Sequence, residues 1–548
     1  MLAEVYPIKR LPRRFRTLAY AIPSGMAVGR GSVVKIPFRT GTVFGVVASI
    51  RAEEASDRTF FAKPMASLFP SLAFSPAEVS WFEALAQDLV QSVPSLLHAS
   101  LPAIPKREKA AARKTFEGRP LTIPADEVAA LSEATAQMAA LSRAFLFSPD
   151  LRRSAAIISA YRKLRPDIPI QVIAPHVRDA ELLRASLAHL SPFFLTGEET
   201  PLKRFRTWAA YRESANGILI GSRLAALLPH PSLGAVFLIR SSHQDQKQAD
   251  QNPRYNARLA SELLSRHLKA SLYFLDAAPR TDDLLLFPEA QFLRPLSLPN
   301  PTVADLAKER LVSPHPILTS TAVQAILETF GQGKRVLCIF NKRGADQKSV
   351  INILRRLFPK NTVAGLDKEI GATEETKRAD ILVATHYYLE SVFDPFSPEL
   401  FGLVLVLQAD LPLFSQTCRS LEQALGSLAE WQGAAFAMRA RFAFQTESAA
   451  LLTPFFDRPL AILKKDLGQR ADYQEPPCCR CLTLQAKEAD PDGIARIRAQ
   501  ILRERPDAII AEEQGGLTIR LHPQAFDALH TLFSRIPDRF IIDTTAHS

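Results

Sequence analysis

The amino-acid sequence predicts a multidomain α/β protein. A small N-terminal β domain leads two tandem lobes with parallel sheets, and a C-terminal α+β domain closes the chain. Three observations point there. The opening is basic and rich in strand-forming runs. From about residue 143, short apolar runs alternate with helical stretches, the pattern of a parallel sheet between helices. That alternation then occurs a second time. At roughly 100–200 residues per domain, 548 residues correspond to about three to five domains.

Taken in order, SVVKIPF (32–38) and TVFGVVASI (42–50) are β-rich runs. Arg39-Thr40-Gly41 between them marks a turn, which makes the pair a hairpin. At 76–99 the spacing becomes helical: Ser75 is the candidate N-cap, Pro76 the first helical residue and Glu78 the partner of a capping box. Trp81, Leu85, Leu89 and Val90 share one face of that helix. The stretch 101–124 is rich in Pro and basic residues and reads as a linker. Its Lys106, Arg107, Lys109, Arg113 and Lys114 either touch phosphates or simply face solvent.

The first α/β series is AFLF (144–147), PIQVIAP (169–175), GILIGS (217–222), AVFLI (235–239) and SLYFLD (271–276), with helical stretches at 150–164 and 256–268. The second is RVLCIF (335–340), DILVAT (380–385), LVLVLQ (403–408) and FAFQT (442–446). The tail combines strands at 483–486, 517–522 and 540–544 with helices at 491–504 and 523–534. The expected divisions are 1–104 for the N-terminal domain, 105–142 for the linker, 143–300 and 301–466 for the lobes, and 467–548 for the C-terminal domain.

A hydrophobic fraction of 47% lets each domain bury a core, and 22% charged residues is ordinary for a globular chain. The net charge of +11 favours polyanions. Charge placement sharpens this, because residues 1–51 hold nine Lys/Arg and one acid, Glu4. Such a surface gains affinity for phosphates by releasing their counterions, without regard to base sequence. Five cysteines, an odd and sparse set, argue against a disulfide framework and for a reducing cytoplasm. The opening MLAEVYPIKRLPRRF lacks the apolar core of a signal peptide, and no run of 18 apolar residues is present to span a membrane.

Motif order within the first lobe is more specific. GSRLA (221–225), RSSH (240–243), QKQ (246–248) and PRYNAR (253–258) follow one another as G-T-R-S-A, D-E-E-H, Y-K-Q and P-R-Y-x-A-R do in the PriA-type replication-restart helicases. The chain resembles that family also in LAYAIPSGMAVGRGSVVKIPFRTGTVFGVV (18–47), CIFNKRG (338–344), QADLPLFSQTCRSLEQALGSLAEWQGAAFAMRA (408–440) and YQEPPCCRCLTL (473–484). The resemblance covers most of the chain. It implies a domain that captures the 3′ end of a DNA strand, followed by two RecA-like lobes. It also implies ATP, Mg²⁺ and a zinc module as the family's cofactors.

The residues that would use those cofactors are replaced. A phosphate loop needs glycines so that backbone N–H groups reach the phosphates. The matching FLFSPDLRRSAAII (145–158) has none, and it adds Asp150; Arg152 or Arg153 with Ser154 is the nearest analogue of the Lys-Thr pair. Arg240, Ser241 and Ser242 stand in place of the Mg²⁺-holding acids, and only His243 is kept. In EWQGAAFA (430–437), Ala434 and Ala437 occupy the positions of the family's arginines, with Arg439 and Arg441 nearby. The C-x-x-C pairs of the zinc module are missing, and CCRC (478–481) lies on an expected strand that points Cys478 and Cys479 to opposite faces.

The expectation is therefore a protein that binds single-stranded or fork-like DNA in replication restart or repair, with other replication-restart proteins as candidate partners. It needs no cofactor and has no catalytic or metal-binding residue. The resemblance places Tyr20, Arg39 and Lys63 at the strand-capture pocket, and Arg223, Lys247, Arg254 and Arg258 in lobe segments that face DNA or the lobe interface. Lys35 joins Arg39 as a cation on which salt-sensitive affinity would depend. Tyr20 is either a stacking ring or a strand core residue. Ala19 stands where an acid would accept from the terminal hydroxyl. Two other readings stay open: an ATP-dependent 3′→5′ DNA helicase with atypical motifs, and a protein-binding scaffold.

Overall fold

Strand alternation at the start of the chain builds an antiparallel sheet. β1 (Leu2–Pro7), β2 (Leu18–Ala21), β3 (Ser32–Phe38), β4 (Gly41–Arg51) and β5 (Ser67–Ala73) run in the order β2-β1-β4-β3-β5. The expected hairpin is β3–β4, with Phe38 opposite Gly41 and Lys35 opposite Phe44. This computed structural model describes residues 1–52, 62–102, 104, 118–309, 318–342, 345–369, 371–415, 417–513, 515–523 and 531–544. The basic linker cations Lys106, Arg107, Lys109, Arg113 and Lys114, and most of the expected helix at 523–534, lie outside the described residues. The chain divides into two compact units: residues 1–118, 165–273 and 470–548, and residues 119–164 and 274–469.

In the first unit, two helices follow the N-terminal sheet: α1 (Pro76–Asp88) and α2 (Val93–Ser100). The capping box of α1 is formed: Ser75 Oγ accepts from Glu78 N–H at 3.2 Å, and Glu78 Oε2 accepts from Ser75 N–H at 2.7 Å. Glu78 also receives the Arg212 guanidinium, so this capping carboxylate is buried but charge-compensated. Trp81, Leu85, Leu89 and Val90 are all buried. Trp81 Nε1 donates to Ala260 O at 3.1 Å and ties α1 to the helix Ala257–Leu268. Full burial of side chains this large stabilises by ~1.5–3 kcal/mol each. Gly31, at φ 93°, is a position no side chain could fill, because a Cβ there would lie 1.9 Å from the Phe74 carbonyl oxygen.

The same unit holds parallel strands in the order Ala235–Ile239, Ile170–Ala174, Ile218–Ser222 and Phe193–Leu195. It also holds a four-stranded antiparallel sheet ordered Ile509–Glu513, Gly516–Leu521, Arg480–Ala486 and Phe540–Asp543. This C-terminal sheet is docked on the N-terminal region. Arg13, 9% exposed, donates to the carbonyls of Ile536 and Phe540, and Arg480 pairs with Asp88. Cys478 and Cys479 are not on a strand. They form a bend after Pro476-Pro477, and the strand begins at Arg480. Proline cannot donate to a ladder, so the pair delays strand entry by two residues.

The second unit holds a six-stranded parallel sheet ordered Thr302–Asp305, Arg441–Thr446, Leu403–Val406, Val336–Ile339, Ile381–Ala384 and Val363–Leu366. Arg143–Phe147 pairs in parallel with Phe292–Leu293. All runs of both expected α/β series are strands. The fold is thus multidomain α/β, with antiparallel sheets at the two ends of the sequence and parallel lobes between. No helix among the described residues is long and apolar enough to cross a membrane.

Candidate nucleic-acid interface

Alternation along β3 decides which N-terminal side chains face outward. Val34 and Ile36 point into a core shared with Ala3, Val5, Tyr20, Val47 and Met65, while Lys35 points the other way and is exposed. Tyr20 is 5% exposed, and its hydroxyl donates to Pro37 O at 2.7 Å. Burial raises its pKa. Of the two roles open to Tyr20, the structure shows the core one.

Arg39 sits at the hairpin tip with φ 54°, a left-handed conformation that suits glycine, and its guanidinium lies 5.8 Å from the Phe38 ring centre. Lys63 is exposed, and its carbonyl accepts from Ala21 N–H at 3.0 Å, which anchors its backbone beside β2. Lys35, Arg39 and Lys63 form no ion pair among the described residues.

Elsewhere in the first unit is a cleft of about 610 Å³, lined by Pro175, His176, Arg204, Ser222, Arg223, Gln248, Asn252 and Tyr255 among others. It lies at the carboxyl ends of Ile170–Ala174 and Ile218–Ser222, where open parallel sheets place ligands. Arg223 lines it and donates to Asp245 O at 3.1 Å. His176 and Arg204, absent from the sequence-based set, had one available signal: His176 directly follows the end of an apolar run.

The other lobe cations turn inward. Lys247 Nζ donates to both Asp543 oxygens, at 2.8 and 2.7 Å, and Arg254 approaches the same carboxylate at 3.8 Å. Burial pulls the Lys247 pKa down against the opposing pull of Asp543. Arg258 is 8% exposed and donates to Ser241 O at 3.1 Å. Of these four cations, the structure places Arg223 on the cleft and draws Lys247 and Arg254 to Asp543.

The positions matched to the nucleotide machinery are occupied by protein. In the second unit, the turn Ser148–Asp150 leads into the helix Leu151–Leu164, and Asp150 Oδ1 accepts from Arg153 N–H at 2.9 Å. Arg153 is 1% exposed. Its guanidinium gives Nε and Nη2 to Glu127, at 2.7 and 2.5 Å, and Nη1 to Asp150 at 2.5 Å. The Phe436 ring covers it at 4.7 Å. At Gly433, in the helix Ser420–Met438, a Cβ would fall 2.1 Å from the Pro149 carbonyl oxygen, so that helix rests directly on the turn. In the first unit, Arg240 adopts φ 48° and donates to Asp179 at 3.0 Å. A triphosphate cradle needs open backbone N–H groups, and Mg²⁺ needs free carboxylates; here Glu127 and Asp150 are engaged by Arg153, and Asp179 by Arg240.

Of the cysteines, Cys338 does not suit a metal ligand. Cys338 is fully buried in its strand, and burial pushes its thiol up to about 12, away from the thiolate that binds metal. Within the first unit, His176, His243 and Asp245 bring candidate ligand atoms within 4.8 Å of one another. His243 Nδ1 already accepts from Asp245 N–H at 3.1 Å, so metal ligation by this ring would displace a hydrogen bond or change its tautomer.

Comparison with known proteins agrees with the N-terminal geometry. Residues 9–102 match the family model described as the PriA 3′DNA-binding domain (3′BD). The replication restart protein PriA of Rickettsia felis is 27% identical over 135 residues, which cover 23% of this chain and 20% of that relative, so the match spans only a fifth of the relative's length. Among solved structures, the Hef helicase domain of Pyrococcus furiosus covers 58% of this chain and 95% of its own, at TM-score 0.35 and 12% identity. Dbp5 of S. cerevisiae bound to RNA and ADP BeF3 covers 63% and 98%, at TM-score 0.33 and 12% identity. Residues 9–102 are thus similar to the PriA 3′DNA-binding domain, and about a quarter of the chain is similar to a PriA relative.

Proposed function

We propose that this protein binds single-stranded or branched DNA in replication restart or repair, in the cytoplasm, without hydrolysing ATP. The observation that carries the reading is the opposite disposition of its cations. Lys35, Arg39 and Lys63 of the N-terminal domain are exposed and form no ion pair among the described residues, whereas the arginine at the phosphate-loop position is buried between two carboxylates. Outward cations release counterions from a DNA backbone. A guanidinium already neutralised by Glu127 and Asp150 has no charge left for a β- or γ-phosphate. Other replication-restart proteins are the partners this role calls for.

The test is an ATPase assay on purified protein with and without single-stranded and forked DNA, run beside binding measured by fluorescence anisotropy across a salt series. The expected result is salt-sensitive binding and no DNA-stimulated hydrolysis. Turnover of ATP that rises with added DNA would restore the helicase reading. Absence of DNA binding at low salt would favour a protein-binding scaffold.

A further inference from the structure

The burial of Tyr20 leaves the N-terminal domain without the aromatic ring expected to meet a base, and the opposite face of the same sheet carries two phenyl rings in contact. Phe44 on β4 lies directly across from Lys35 on β3, and Lys35 in turn lies across from Ser67 on β5. Directly opposed residues share a face, so Lys35 and Phe44 stand side by side on the face turned away from Tyr20. The ring of Phe69, also on β5, meets that of Phe44 edge to face, with centres 5.4 Å apart and planes at 67°. Both rings are partly exposed, and Lys35 and Thr42 beside them are exposed.

Two residue pairs further along, Val33 and Val46 on this same face are 0% and 1% exposed. The face is therefore covered at one end and open at the end that holds the aromatic pair. Two phenyl rings in a partly solvated position, beside a cation with no ion-pair partner among the described residues, match what an unpaired nucleotide offers: an apolar base with two π-faces and an anionic phosphate.

We propose that Phe44 and Phe69 form a base-stacking platform for single-stranded DNA, with Lys35 neutralising the adjoining phosphate. This rests on the DNA-binding reading above and deepens it, since it names the surface that takes the unpaired bases. Stacking on phenyl rings tolerates any base, so binding through this platform is insensitive to sequence and sensitive to the presence of bases.

The experiment uses the full chain and a fluorescent oligo-dT strand, with a strand of equal length carrying abasic sites as the second probe. Wild type is expected to bind the abasic strand about tenfold more weakly, equivalent to ~1.4 kcal/mol. The double variant Phe44→Leu/Phe69→Leu, which keeps apolar volume and removes the π-faces, is expected to bind oligo-dT about tenfold more weakly and to discriminate little between the two strands. Lys35→Gln is expected to lower the dependence of log K on log[salt] by ~0.7. Failure of wild type to bind oligo-dT at low salt would sink the underlying reading. Binding by wild type with equal affinity for both strands would overturn the platform alone, and it decides the matter even if the leucine variant does not fold. A folded double variant within twofold of wild type on oligo-dT would also overturn it.

Discussion

The β3–β4 hairpin and the helix that follows the turn Ser148–Asp150 each carry an arginine, and they treat it in opposite ways. Arg39 takes a position suited to glycine and keeps its side chain in solvent, although a left-handed residue with a Cβ costs roughly 1–2 kcal/mol. Arg153 is held by Glu127 and Asp150 beneath the Phe436 ring. The first region tolerates backbone strain to keep a cation available. The second uses its cation to fill the fold. A charge that meets its counter-charge inside the protein serves stability, and one left in water is available to a ligand.

The largest effect should come from breaking the inward pair. Arg153→Met takes the buried guanidinium from Glu127 and Asp150 and is expected to cost about 3–5 kcal/mol in urea unfolding. Arg153→Lys should rescue only part of this, because an ammonium cannot hold Glu127 with two parallel hydrogen bonds. A loss below ~0.5 kcal/mol for Arg153→Met would dissolve the contrast between the two regions.

Burial alone should produce the next effect. His230 is 2% exposed, and desolvation pushes its pKa down to about 4. With an ordinary value near ~6.5, the unfolded chain takes up a proton that the folded chain refuses in the window between these values. Stability is therefore expected to fall as pH drops from about 6.5 towards 4, by on the order of 3 kcal/mol in all from this group. His230→Gln should flatten that slope in denaturation midpoints measured at pH 7, 6 and 5.

Lys247 sharpens the comparison, because the family resemblance assigns it to DNA-facing segments while the structure pairs it with Asp543. Lys247→Gln is expected to cost about 1–3 kcal/mol in stability and to change oligonucleotide affinity less than twofold. A strong loss of affinity with unchanged stability would move Lys247 into the outward class. The smallest stability change should follow Arg39→Gly, with the opposite sign: a gain of up to ~1 kcal/mol from relieved strain, together with a shallower salt dependence of DNA binding by ~0.7. Weaker binding in a more stable protein would be the clearest mark of a residue kept for its ligand.

Much of this architecture is legible locally. Strand and helix positions across both α/β series follow from apolar runs and their spacing. The cap of α1 follows from Ser75, Pro76 and Glu78, whose bonds form within one turn. Alternation along β3 is enough to send Lys35 outward once Val34 and Ile36 face the core. Local steric and periodic rules act within a few residues, so the chain order of residues already contains them.

Residue order is enough to set the elements and to carry the family resemblance, with Arg240 and Ala434 at positions where that resemblance implies other residues. Which cations are available depends instead on long-range packing. Asp543 meets Lys247 from 296 residues away, and Glu127 meets Arg153 from 26. Likewise, Phe69 joins Phe44 only because β3 lies between their strands. Ion pairing and exposure depend on which distant segments pack together, and packing is set by the whole hydrophobic core, so no local pattern reveals whether a given arginine faces water or a buried carboxylate.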